Sequence, residues 1–565
     1  MRALLPAFLV FALNAQAPGP VSLPDLQNIQ REMYQAPIGS LDSRVEQLWK
    51  AALTNPLHPD FVRAAQLAAS YYQSQGYDLN AEQVLLQAIE ASPREARDSL
   101  AAQLAAFYQN VQQFVKAAAL REKGTDVAGL ALLYENMGEL EKAEAAWKKA
   151  AAVKPDSGTQ PKGMIVSRLG PYPSEPSNVL ADFYSRNGRD LDAEKLYKEA
   201  LTSGSNRVSA AQQYILFLMG RQRNDEAIAL YRQTIASLES SADPQAAQTL
   251  VYTRQSLAGL LSRTGHVDEA VALQKQAMNA ASGPYRMEAA GSLANTLIQQ
   301  NRLEEAERVV EQMAANNPWA SEMLARIRDQ QNKPEEAAQI RERFRTSQPP
   351  APSRQMTLHD YVNPAQQAMM KGDVESAVAY IDRALAAAAD RVKANPQELA
   401  VLISLAHQLQ GRQKEAEAQR IVSETMRLLS EAPDHPRVAE ALGSIIETLA
   451  AFGRTAEAER VLERQERILR SAKGSDSPAL NSVSYGRIAL LRRASDESAI
   501  LEEQKRMLQR MSNATGPKSR LTLYAMREVA WSYARGNNWP EEEQIPSGPA
   551  MRRGPTRQHR ILRQE

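Results

Sequence analysis

Residues 127–151 read VAGLALLYENMGELEKAEAAWKKAA. Leu130, Ala131 and Tyr134 fall on one stripe of a first helix, predicted over residues 127–136, and Ala143, Trp147 and Ala150 on one stripe of a second, over 141–151. Gly138 between them suits a left-handed helix stop, and Pro155 ends the second helix. Small residues let two helix axes approach closely, while Tyr134 and Trp147 fill the remaining space.

The same phrase returns along the chain. An aromatic, a glycine and two alanines recur at one spacing as Tyr72, Gly76, Ala81 and Ala88, then Tyr134, Gly138, Ala143 and Ala150, then Tyr184, Gly188, Ala193 and Ala200. Looser copies keep phase: Tyr108 with Ala105 and Ala117, whose second helix is shortened; Ala227 with Tyr231; Gly265 with Ala270 and Ala277; Ala294 with Ala306 and Pro318; and Ala325 with Ala337. Beyond these stand Gly372 with Ala377 and Ala384, Gly411 with Ala416, and Gly453 with Ala458. A unit of roughly 34–43 residues repeated in this way specifies an all-α helical-hairpin solenoid, in which each repeat buries its apolar stripe against its neighbours.

These residues resemble the tetratricopeptide repeat family, which sets small residues in both helices, large ones between them, glycine at the turn and proline after the second helix. Three units carry the resemblance in register: Ala69, Tyr72, Gly76, Ala81, Leu85, Ala88 and Pro93; Ala131, Tyr134, Gly138, Ala143, Trp147, Ala150 and Pro155; and Ala181, Tyr184, Gly188, Ala193, Tyr197 and Ala200, with Ser205 in place of the last proline. In the second half, Asp434, His435 and Pro436 followed by Ala439, Leu442, Ile446 and Leu449 look like the longer repeats of kinesin light chains, and so do Thr522, Leu523, Met526, Ala530 and Tyr533.

The organisation follows from where the rhythm breaks. Residues 1–17 read as an export signal: Arg2, an apolar run from Ala3 to Leu13, and Ala15-Gln16-Ala17 as a cleavage site. Export predicts a periplasmic or extracellular protein. A leader over 18–60 precedes a first array over 61–345, interrupted by a Pro- and Gly-rich loop insertion at 156–175. A proline-rich linker at 346–358 separates a second array over 359–544, and residues 545–565 form a basic disordered tail with Arg552, Arg553, Arg557, Arg560 and Arg563.

Composition narrows the chemistry. Lys plus Arg number 67 against 66 Asp plus Glu, a formal net charge of +1 that offers no global field for nucleic acid. There are no cysteines, which excludes disulfides, thiolate metal sites and cysteine nucleophiles. The six histidines include no pair at metal-ligand spacing, and His407 falls at a core-phase helix position. No phosphate-cradling loop or nucleophile elbow is present. The expectation is a protein that is not an enzyme and has no cofactor, metal or transmembrane span, binding other proteins or peptides.

The resemblance implies where. In the family the first helices line a concave groove, and carried onto this chain the polar groove positions include Arg63, Gln66, Ser70 and Gln73; Asn178, Asp182 and Arg186; Tyr252, Gln255 and Arg263; and Glu288, Asn295 and Gln299. Amides and charges so placed suit an extended peptide. The family's grip on a C-terminal carboxylate is not expected, because Ala128 and Leu132 replace its lysine and asparagine. Two roles fit: an exported interaction scaffold or adaptor, and an accessory subunit regulating an envelope polysaccharide or peptidoglycan enzyme.

Overall fold

The computed structural model describes residues 23–33, 36–152, 176–203, 207–241, 244–311, 318–347, 358–391, 399–412 and 414–535. The predicted export signal, loop insertion and basic tail lie outside them, as do residues 348–357 of the linker. Among the described residues there are 27 α-helices, and successive helices pack as pairs. The fold is therefore the helical-hairpin solenoid expected. The quoted stretch forms the helices Val127–Asn136 and Leu140–Ala152, with Trp147 2% exposed. Tyr134 departs from expectation: Leu133 takes the core position, while Tyr134 is half-buried and its hydroxyl donates to Glu122 at 2.6 Å.

The turn explains why the phrase recurs. At Gly138 φ is +74°, and the amides of Gly138 and Glu139 donate to the carbonyls of Glu135 and Tyr134 at 3.1 and 2.8 Å, closing the first helix. Gln112, Gln222, Asn301, Asn332 and Ser495 are also left-handed, and each stands five residues before Ala117, Ala227, Ala306, Ala337 or Ile500, as Gly138 stands before Ala143. The backbone conformation is thus kept where glycine is not, at a strain of about 1–2 kcal/mol per site. Gly411 is the counter-case: it is not left-handed, Ala416 is exposed, and the buried alanine is Ala418, two residues later than predicted.

The aromatic position has a second use. Tyr108 donates to Glu82 at 2.5 Å, Tyr184 to Glu144 at 2.9 Å and Tyr214 to Glu194 at 2.8 Å. Each glutamate directly follows the alanine that opens the preceding second helix, Ala81, Ala143 or Ala193. The phenol therefore packs within its own repeat and ties it to the one before.

The chain divides into two compact units: Met1–Ala143 together with Met356–Glu565, and Glu144–Gln355. This differs from the predicted arrays, 61–345 and 359–544. Packed helices also begin earlier, since Leu23–Glu32 and Asp42–Leu53 contribute Leu26, Ile29, Val45 and Trp49 to one core with Phe61–Gln75.

In the first unit, distant segments meet. Ile38 lies in the core of residues 358–490. Arg437 donates from Nε and Nη2 to the Ser74 carbonyl at 3.2 and 2.8 Å, and Lys473 meets Asp78 at 3.6 Å with side chains 14% and 12% exposed. The His435 ring meets the Tyr77 ring edge-on at 5.1 Å. Lys518 pairs with Glu139 at 3.7 Å. Hairpin turns of the early repeats thus dock on helix starts of the late ones.

Among its described residues the second unit is tied from neighbour to neighbour, as by Arg189 to Glu144 at 2.7 Å, Arg223 to Glu194 at 2.7 Å and Arg302 to Asp268 at 3.1 Å.

Candidate functional site

A first helix buries the stripe that faces its own second helix and its neighbours, leaving the opposite stripe free to meet a partner. On Phe61–Gln75 that stripe shows Arg63 and Ser70 exposed, with Gln66 and Gln73 half-buried. Arg63 lies 3.3 Å from Asp60.

On Pro244–Arg263, Tyr252 and Gln255 are half-buried and Arg263 is exposed. Tyr252 meets Tyr285 edge-on, ring centroids 5.7 Å apart. On Gly283–Gln299, the residues Glu288, Asn295 and Gln299 are all exposed. These ten predicted positions are each exposed or half-buried.

Pro176–Arg186 corrects the prediction. Arg186 is exposed, but Asn178 is fully buried and Asp182 is 4% exposed. The Tyr197 hydroxyl, on the second helix of the same hairpin, donates to the Asp182 carboxylate. Asp182 is an internal acceptor here, because a buried phenol needs a partner and the adjacent second helix supplies one. His407 is corrected in the opposite sense: it is exposed, and its Nδ1 lies 3.2 Å from the Thr448 hydroxyl.

An exposed aromatic surface lies where no groove residue was predicted. Tyr485 on Asn481–Arg493 is 49% exposed, and on Arg520–Arg535 Tyr524 and Trp531 are 50% and 53% exposed. Counting back from left-handed Ser495 as from Gly265, Tyr485 takes the place of Gln255. With Ala530 and Tyr533 in the places of Ala258 and Leu261, Tyr524, Arg527 and Trp531 take those of Tyr252, Gln255 and Gly259. The guanidinium of Arg527 stacks on the Tyr524 ring at 4.5 Å. Burial first, then Tyr524 and Glu528, push the Tyr485 phenol above its ordinary pKa, so the two tyrosines belong to one patch. Ala530 and Tyr533 set the phase that places these residues on the open face.

The patch is an aromatic surface edged by the Arg527–Glu528 pair at 3.6 Å. Among the described residues no group of three or more His, Asp and Glu is placed to hold a metal. No helix among them is long and apolar enough to cross a membrane.

The tetratricopeptide repeat family profile matches residues 128–157, which include most of the hairpin formed by Val127–Asn136 and Leu140–Ala152. No curated protein matches the chain. Among solved structures, that of Naa15/Naa10 bound to HypK-THB is similar at 13% identity, covering 92% of this chain and 98% of that chain with a TM-score of 0.29. So low an overlap carries no argument about what this protein binds.

Proposed function

Taking the chain as a tetratricopeptide-type repeat protein, we propose that it is a non-catalytic interaction scaffold, exported from the cytosol, which holds a peptide segment of a partner protein on the open face of its first helices. The row Tyr485, Tyr524, Arg527 and Trp531 carries this reading. Tyr, Trp and Arg are the residue types that dominate binding energy at protein interfaces, and rigid rings lose little entropy when covered. Three aromatics half in water on consecutive first helices gain from being covered by a partner, at about 25 cal/mol per Å² of apolar surface removed from water. The polar rows Arg63–Gln73 in one unit and Tyr252–Gln299 in the other each offer first-helix positions of the same kind.

The export part rests on residues 1–17 alone. A mature protein isolated from its native cell with Met1 still at its N-terminus would overturn it.

A photocrosslinker placed at Tyr524 in the full chain, in that cell, tests the binding face. Capture of a defined protein is expected. The double substitution Tyr485→Ala, Trp531→Ala should reduce that capture at least tenfold while shifting unfolding by no more than about 0.5 kcal/mol, as exposed positions do. Undiminished capture by the double variant overturns the face.

A further inference from the structure

Away from that aromatic row, the last repeats enclose a polar cavity of about 160 Å³ between the second helix Thr455–Lys473, the first helix Asn481–Arg493 and the second helix Glu497–Thr515. Four arginines and two glutamates line it, an excess of two positive charges. The glutamates are already shared. Glu466 accepts from Arg470 at 2.7 Å and Arg487 at 2.5 Å, and Glu503 lies 3.3 Å from Arg487 and 3.1 Å from Arg506. Glu503 is 2% exposed and also accepts from the Ser484 hydroxyl.

Arg510 is left over. Its guanidinium donates to the Asn481 amide oxygen at 3.2 Å and to the Ser484 hydroxyl, both neutral, and it pairs with no carboxylate among the described residues. Burial, and behind it the neighbouring Arg470 and Arg487, hold its pKa below the ordinary guanidinium value despite Glu503 and Glu466. Arg510 is half-buried, and a purely structural ion-pair network would balance its charges, since even a partly buried charge without a counter-ion is unfavourable.

We infer that this cavity binds an oxyanion, a phosphate or carboxylate group, held by Arg510 with Arg487, Arg506 and Arg470 around it. Planar guanidiniums match such groups in forked pairs, and charge-assisted hydrogen bonds are stronger than neutral ones. Two of the three walls are second helices, and the first helix Asn481–Arg493 reaches the cavity through Val483, Ser484 and Arg487 but not through Tyr485.

The test is isothermal calorimetry on the full chain at fixed ionic strength, titrating inorganic phosphate in one arm and a glutamate-rich hexapeptide in the other. Binding of phosphate identifies a free anion, and binding of the peptide alone identifies a carboxylate carried on a chain. In either case Arg510→Gln should weaken binding about tenfold or more, the loss of one charge-assisted contact. Should that variant lose its helical circular dichroism, Arg506→Gln, whose side chain is 65% exposed, is read instead with the same expectation. Arg427→Gln, on an exposed pair with Glu424 elsewhere, should leave binding unchanged. No heat from either probe, or binding unaltered by the cavity substitutions, overturns the site.

Discussion

Gly138 and Gly188 occupy the same place in two copies of the repeat and have the same φ, +74°. Their surroundings differ completely. A Cβ on Gly138 would stand 2.1 Å from the Lys518 carbonyl oxygen, whereas one on Gly188 would meet nothing within 4 Å. Gly76 repeats the first case, with Pro436 Cβ at 2.8 Å, and Gly265 the second. In the unit Glu144–Gln355 the turns face outward and stability accumulates from neighbour to neighbour, as in an open solenoid. In the other unit the turns at Gly76 and Gly138 are contact points between segments more than 300 residues apart, while those at Gly372 and Gly453 are as open as Gly188, so its early repeats cannot be treated as a simple sum.

The widest separation between the two regions is expected from the matched pair Gly138→Ala and Gly188→Ala. Both variants incur left-handed strain of about 1–2 kcal/mol, and both regain the same unfolded-state entropy. Gly138→Ala also drives a methyl into backbone, which overpacking data place at about 1–3 kcal/mol more. Denaturant unfolding of the full chain should therefore show Gly138→Ala as the more damaging by that margin. Equal losses would mean that the turn does not dock on Lys518.

Acid should distinguish the regions next. His435 is 3% exposed, its Nδ1 accepts from the Arg437 amide at 3.2 Å, and its Nε2 is buried without a partner. Burial pulls its pKa from 6.5 down to about 4, opposed weakly by Asp42 and reinforced by Arg437. The folded pKa is depressed for a base, so the unfolded chain takes up a proton first as pH falls. Stability is complete above pH 6.5 and is lost between there and about pH 4, by about 3 kcal/mol in full. His435→Gln should flatten that loss in the unit closed by Tyr77 and His435. A pH response unchanged by the substitution would remove His435 from the closure.

These contrasts show what the sequence could and could not carry. The repeat was legible because its determinants are local: a left-handed turn, a small residue five positions on, a packed aromatic. Ala143, Ala193 and Trp147 could be assigned to the core from spacing alone. The docking of Arg437 on Ser74 left no such trace, because a single guanidinium meeting a carbonyl 363 residues away has no period. The groove was half legible for a related reason. Spacing says which face of a first helix a residue occupies, but not whether its own second helix reaches across to it, as Tyr197 does to Asp182. Tyr485, Tyr524 and Trp531 were visible in phase, yet only exposure shows that nothing covers them.

Asp182 gives the smallest of these effects, and it acts inside one hairpin. Asp182→Ala leaves the buried Tyr197 hydroxyl without its acceptor, a loss of about 1–3 kcal/mol. Tyr197→Phe leaves the buried Asp182 carboxylate without that donor, so it should cost at least as much, whereas the double variant, in which neither group is left unsatisfied, should cost less than the two single losses added. Because residues 182 and 197 both lie in Glu144–Gln355, the loss should fall on the unfolding of that unit and leave the acid response of His435 intact. Partner capture through Tyr524 should also be unchanged. A variant that unfolded like the native chain but lost capture would return Asp182 to the binding face, and with it the assumption that an exposed phase is an exposed side chain.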